Sequence, residues 1–247
     1  MAKPWRIVDA IDTEEGVLDL RQRGETDFLI TIGNRVLMNS SASVSETVLA
    51  ELACAPLKNN ETPRVLVGGL GMGFTLKAAI DNLPADAEVV VVELNPITVK
   101  WCRGPLARLN GAALDDPRVK VVIDDAASVI RHAAVKGGEE RFDAIILDLY
   151  QGPHETEAGG GAYLYGDPAL DLSASALKAG GIFAVWSEDP DRAFEKRLKA
   201  AGFALNRQRP GRGGRRHVVY IARKVSGAQT GGKTGPAAGK PRKNKPG

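Results

Sequence analysis

Between Arg64 and Trp186 the chain repeats one pattern five times: a short, almost continuous apolar run, then a helical stretch. The runs are VLVGG (65–69), EVVVVE (88–93), VKVVI (119–123), DAIILD (143–148) and GIFAVW (181–186). A strand with one wet face alternates polar and apolar residues. These runs do not alternate, so parallel strands covered by helices on both faces are predicted. Parallel neighbours need crossover connections, whose fixed hand leaves few topologies. A capping residue before proline predicts helix starts at Asn95-Pro96, Asp167-Pro168 and Asp189-Pro190. Glycines after Lys178-Ala179 and Ala200-Ala201 predict helix stops. Two further runs, FALNRQ and HVVYIA, flank a hairpin holding Arg207, Arg209, Arg212, Arg215 and Arg216. The predicted fold class is α/β, with a doubly wound, mostly parallel Rossmann-like sheet.

Ahead of this pattern, GVLDLRQ, DFLITIG and RVLMN read as strands of a small N-terminal antiparallel β element. Ser43 and Glu46 then have the spacing of a capping box, with Val44, Val48, Leu49 and Leu52 on one helical face. The expected division is strands and a linking helix over 1–58, a ligand-binding Rossmann-like domain over 59–224, and a disordered tail over 225–247. The formal net charge of +3 is misleading as a whole. Lys233, Lys240, Arg242, Lys243 and Lys245 lie in a Gly/Pro-rich tail without acids, leaving 28 basic against 30 acidic residues before it. The body is thus mildly acidic. The tail has almost nothing to bury and reads as a solubilising terminus, with weak nucleic-acid contact as the second reading.

With 43% hydrophobic and 26% charged residues, the composition is that of an ordinary globular chain. No apolar run approaches the roughly 20 residues of a membrane span. The N-terminus has charges where a signal peptide needs an apolar stretch, so a cytoplasmic location without membrane contact is expected. Cys54 and Cys102 form no CxxC and read as reduced, buried thiols. His132, His154 and His217 lack metal-ligand spacing, so no metal is expected.

The chemistry concentrates where the strands end. The first run leads into Gly69, Gly71 and Gly73 and then a helix, a turn that lets backbone and free amides approach a ligand. The dinucleotide fingerprint GxGxxG needs a small residue at position 74, where this chain has Phe74. Glu93 ends the second strand, twenty residues past Gly73, where an acid can accept both hydroxyls of a ribose. Asp124-Asp125-Ala126 follow the third strand, one carboxylate placed for an adenine amine and the other for a helix cap. Asp148 closes the fourth strand, where partial burial can tune its pKa. Between Pro153 and Asp167, the triple glycine beside Tyr163 and Tyr165 reads either as a flap laying rings over a ligand or as a loop packed on its own helix.

These strand-end features, in this order, resemble the class I methyltransferase fold that binds S-adenosylmethionine. Finer ones narrow the resemblance to the spermidine synthase (polyamine aminopropyltransferase) group: the N-terminal strands leading to a capped helix, DDPRVKVVIDDA, FDAIILD followed by Gly-Pro, and LYGDPALDLSASALKAGGIFAV. The likeness spans about residues 15 to 224. It implies that Gly69, Gly71, Gly73, Glu93, Asp124, Asp125, Ala126 and Asp148 surround the nucleoside donor. Asp148 and Tyr150 are then the catalytic candidates, and Glu51, Gln151, Tyr163 and Tyr165 bind the acceptor. Where the group has an aspartate in the glycine loop, this chain has Met72. Its DSSDPxGP appears as Asp148-Leu149-Tyr150-Gln151-Gly152-Pro153. Its Tyr-His-Glu segment is matched to Leu49-Ala50-Glu51.

A polyamine site needs several acids. The departures therefore lead to an expectation of a transferase using S-adenosylmethionine for methyl transfer to a small-molecule acceptor. The alternatives are a polyamine aminopropyltransferase using decarboxylated S-adenosylmethionine, a non-catalytic nucleoside-binding module and, third, an NAD-dependent oxidoreductase. The arginine hairpin suggests an anionic acceptor. A homodimer is allowed for as a partner state.

Overall fold

The computed structural model describes residues 3–33, 35–150, 152–153, 160–211 and 217–225, with backbone only at 160–162. Of the expected tail only Val225 is described; the rest of it, and Arg212, Arg215 and Arg216 of the hairpin, lie outside the described residues.

The N-terminal sheet has four antiparallel strands in sequential order: β1 (Arg6–Thr13), β2 (Gly16–Arg23), β3 (Asp27–Ile32) and β4 (Arg35–Asn39). β1 was not expected. It is an edge strand, mostly exposed, and its polar sequence RIVDAIDT hides the signal. Leu18, Leu20, Phe28 and Ile30 form the buried face of the sheet. On the next helix, α1 (Val44–Cys54), the expected capping box does not form: the Ser43 side chain makes no cap bond. The helix buries Ser45, Glu46, Leu49, Ala50, Ala53 and Cys54, while Val44 is 57% exposed. The buried stripe is therefore turned from the one expected, and it contains an acid.

The second sheet carries β5 (Arg64–Gly68), β6 (Glu88–Glu93), β7 (Val119–Ile123), β8 (Phe142–Leu147), β9 (Leu177–Ser187), β10 (Phe203–Gln208) and β11 (Val218–Lys224). Its order is β10-β11-β9-β8-β5-β6-β7. All are parallel except β11, which runs antiparallel between β9 and β10. The helices are α2 (Phe74–Asn82), α3 (Pro96–Arg103), α4 (Ala107–Asn110), α5 (Ala126–Lys136), α6 (Gly160–Tyr165), α7 (Asp167–Ala176) and α8 (Arg192–Ala200). They divide the core into two layers. One joins the N-terminal sheet, α1, α2 and α3 to one face; the other packs α5, α7 and α8 on the opposite face.

Pro96 starts α3 after Asn95, as expected. At α8 the cap is Asp191 rather than Asp189, its carboxylate accepting from the amides of Ala193 and Phe194 at 2.8 and 2.9 Å. Helix α7 begins at Asp167, with Gly166 as its cap. Gly180 lies within β9, past the end of α7, at a positive φ of 73°. Asp9 ties the two sheets' layers together: its Oδ2 accepts from Lys100 Nζ at 2.9 Å and Trp101 Nε1 at 3.1 Å. Cys54 and Cys102 are free and buried, and burial pushes both thiols up to about 12. Among the described residues, no helix is long and apolar enough to cross a membrane.

Candidate active site

The chain winds from β5 to β6 and β7 on one side, then returns to β8 and β9 on the other. A crevice opens where those directions diverge, beyond the carboxyl ends of β5 and β8. The glycine turn after β5 lies there. Gly69 has φ 90°, and a Cβ on it would come 2.3 Å from the Asp148 carbonyl oxygen. Only glycine lets these two strand ends approach so closely.

A cleft of about 300 Å³ occupies this crevice, floored by Gly69, Gly71, Glu93 and Asp148 and roofed by Leu18, Ile30, Leu37 and Met38 from the N-terminal sheet. Glu93 is 9% exposed. Its Oε2 accepts from the Leu70 amide at 3.1 Å and its Oε1 from the Asn95 amide at 2.9 Å. Burial raises its pKa, and these amides act against the rise. The amides of Leu94 and Gly71 add to the donors around this carboxylate.

At the other end, Asp148 Oδ2 accepts from the Thr75 hydroxyl of α2. Burial first, then the charge of Glu46, push Asp148 up to about 7. Glu46 lines the same cleft and is 5% exposed; burial raises its pKa too. Ser45 Oγ donates to Glu46 Oε2 at 2.7 Å, and Trp186 Nε1 donates to Ser45 Oγ at 3.1 Å. Two acids, both held towards neutrality, thus face one apolar-walled space.

The cleft unites Gly69, Gly71, Glu93, Asp148 and the half-exposed Tyr150. Gly73 instead starts α2 at φ 86°, and Asn110 occupies the space a Cβ would need. Asp124, Asp125 and Ala126 lie beside Glu93 at the end of β7, outside the cleft lining. Asp125 caps α5 through Oδ1 and accepts from Tyr163 Oη through Oδ2 at 2.6 Å. Asp124 is thus the member of the pair that does not cap. Ala126 is buried against Gly68.

Tyr165 does not lie over a ligand. It is buried in the second core layer, its ring edge-on to Phe194 at 5.7 Å. Glu51 is exposed on α1, away from the cleft, and Gln151 lies outside the described residues. Met72 turns into the core rather than towards the cleft. Arg207 of the hairpin pairs with Glu195 at 2.7 Å. Among the described residues, no group of three His, Cys, Asp or Glu side chains could hold a metal.

Glu46, Ser45, Thr75 and Trp186 were not anticipated. A signal for Glu46 was present: with Leu49, Ala50, Ala53 and Cys54 it follows the i, i+3, i+4, i+7, i+8 spacing of a buried helical stripe.

Parallel strands with one antiparallel strand inserted beside the last, and a glycine turn facing an acid on the next strand, define the class I methyltransferase-like fold. Residues 46–197 match the family model described as the spermine/spermidine synthase domain. The chain belongs to that family. A polyamine aminopropyltransferase of Mycobacterium tuberculosis is 35% identical over 156 residues, 61% of this chain and 28% of that protein. One from Aeropyrum pernix is 28% identical over 164 residues, 66% of this chain and 49% of that protein. The chain thus spans between about a quarter and a half of the length of these curated relatives. Among solved structures, spermidine synthase in complex with the transition-state analogue AdoDATO superposes with a TM-score of 0.71 at 19% identity, covering 89% of this chain and 74% of that one. Spermidine synthase from Thermotoga maritima gives 0.67 at 19% identity, covering 89% and 73%.

Proposed function

We propose that this chain is an aminopropyltransferase, moving the aminopropyl group of decarboxylated S-adenosylmethionine to an amine acceptor. One observation carries the reading. The described residues lining the cleft include three carboxylates, Glu46, Glu93 and Asp148, and no lysine or arginine. A donor with its carboxylate intact would find acids there and, among these residues, no cationic side chain to pair with. The decarboxylated donor carries only positive charge, in its sulfonium and its amine, and so does a protonated amine acceptor. The curated relatives bear the name polyamine aminopropyltransferase, which supports this reading over the methyl transfer expected from the missing acids. That expectation placed the acceptor acid of α1 at Glu51; Glu46, five residues earlier, faces the cleft.

The donor end fits a nucleoside. Gly69, Gly71 and Glu93 line the cleft together, so bare backbone and one carboxylate meet the same space. The donor supplies an electrophilic carbon beside a positive sulfur. The protein's part is positioning and proton removal: Glu46 and Asp148 attract the ammonium, and Asp148, near neutrality in its pKa, takes its proton. Incubation with each donor and a diamine panel, read by mass spectrometry, tests the reading. Aminopropylated amine from the decarboxylated donor is expected. Methylated amine from S-adenosylmethionine, with no aminopropyl product, overturns it.

A further inference from the structure

Ser45 sits where the cleft meets the far end of the chain. Its Oγ has three polar neighbours: Glu46 Oε2 at 2.7 Å, Trp186 Nε1 at 3.1 Å and His217 Nδ1 at 3.1 Å. His217 immediately precedes β11, is half-buried and lies outside the cleft lining, with its ring edge-on to Trp186 at 4.7 Å. A hydroxyl offers one proton and two lone pairs, and indole N–H can only donate. Two complete arrangements satisfy all three neighbours. In the first, Ser45 donates to ionised Glu46 and accepts from His217 Nδ1–H. In the second, protonated Glu46 donates to Ser45, which donates to an unprotonated His217 Nδ1. The two differ by the position of protons alone.

We propose that Ser45 and His217 form a proton exit leading from the acceptor end of the cleft to the half-buried position of His217 just ahead of β11. The inference rests on the aminopropyl-transfer reading. An acceptor enters as R–NH3+ and leaves as a secondary ammonium, so each turnover releases one proton. The acceptor's proton passes to the Asp148–Glu46 acid pair, and the freed nitrogen lone pair forms the C–N bond. The C–S bond breaks with its electron pair going to sulfur, leaving a neutral thioether. Glu46 then returns its proton to Ser45 as the serine proton moves to His217 Nδ1. The imidazolium so formed loses its Nε2 proton to water, and a turn of the ring to solvent, where the Nδ1 proton leaves and Nε2 takes one up, resets the relay. Among the described residues, Glu46 on α1 is the charged group acting on His217; the β9 neighbours Trp186 and Ser187 are neutral. Ser45 and His217 are positioning residues, for neither is assigned a contact with the reacting atoms.

The test uses the full chain with decarboxylated S-adenosylmethionine and putrescine. His217→Asn should lower kcat at least tenfold, within the range of proton-transfer contributions, with the acceptor KM unchanged within about twofold. Imidazole in the buffer should restore a large part of that loss. Ser45→Ala should be as slow and gain nothing from imidazole, because the missing atom lies inside the path. His217→Gln, with calorimetric binding of methylthioadenosine, separates these losses from misfolding. Full turnover in either His217→Asn or Ser45→Ala, or a His217→Asn loss indifferent to imidazole, overturns the relay alone. A wild-type chain that binds the donor but transfers nothing to any amine overturns the functional reading, and the relay with it.

Discussion

The Thr75 hydroxyl of α2 donates to the Asp148 carboxylate, joining the first helix after the glycine turn to the end of β8. That bond stabilises the ionised acid while burial and Glu46 oppose it, and the balance lies at about 7. Asp148 is therefore expected to set the acid limb of the rate profile, with kcat/KM rising through about pH 7. Thr75→Val keeps the volume and removes the donor, so the limb should move to higher pH. Asp148→Asn should lower kcat by roughly 10²- to 10⁴-fold. A limb unmoved in Thr75→Val would detach Asp148 from the proton transfer.

Asp148 also predicts a stability effect of definite sign. Its folded pKa lies above the ordinary carboxylate value, so the fold favours the protonated form. That contribution is complete at low pH and is lost as pH rises from 3.8 towards about 7. Asp148→Asn should therefore raise Tm more at pH 8 than at pH 5, measured by scanning calorimetry. An equal shift at both values would mean that the carboxylate is not strained by its site.

Glu93 is expected to act on the donor. Glu93→Ala should weaken binding of methylthioadenosine by about 2 kcal/mol, or roughly 30-fold, the scale of hydrogen bonds to a charged acceptor. Titration calorimetry gives the number directly, and unchanged affinity removes the ribose role.

Glu46 and Glu51 stand on one helix and separate two accounts of the acceptor site. Glu46→Gln should raise the acceptor KM at least tenfold, a difference of about 1.4 kcal/mol. Glu51→Gln, at an exposed position, should leave it unchanged. The reverse ranking would restore the register expected from sequence.

Gly69→Ala should be poorly tolerated. Its φ of 90° and the 2.3 Å approach to the Asp148 carbonyl oxygen demand backbone movement. A loss of about 1–3 kcal/mol, read from denaturant unfolding, is expected for such strain.

The central strands β5, β6, β8 and β9 were legible because both faces of each are covered, so apolar runs and strands coincide. β6, β7 and β10 begin and end with their runs. β1 was hidden because an exposed edge strand has no apolar run to show. The glycine turn, Glu93 and Asp148 could be placed because the strand ends of this topology position whatever follows them. The acceptor end could not. Ser43 and Glu46 have the spacing of a cap, and that local explanation masked an acid on a buried stripe. Ser45, Trp186 and His217 carry no common motif, since tertiary packing alone brings them together. The antiparallel direction of β11 was legible in the hairpin that joins it to FALNRQ, whereas its insertion between β9 and β10 leaves no mark on an apolar run.

That insertion fixes when the molecule becomes complete. Gly69, Glu93 and Asp148 stand at the ends of β5, β6 and β8, so their meeting closes shorter loops. Ser45 and His217 are 172 residues apart, and they meet only after β11 has paired with β9. Loop-closure entropy places such a contact late, and on the ribosome it must await nearly the whole chain. The nascent protein therefore acquires a place for the nucleoside before it acquires the surroundings of its acid pair.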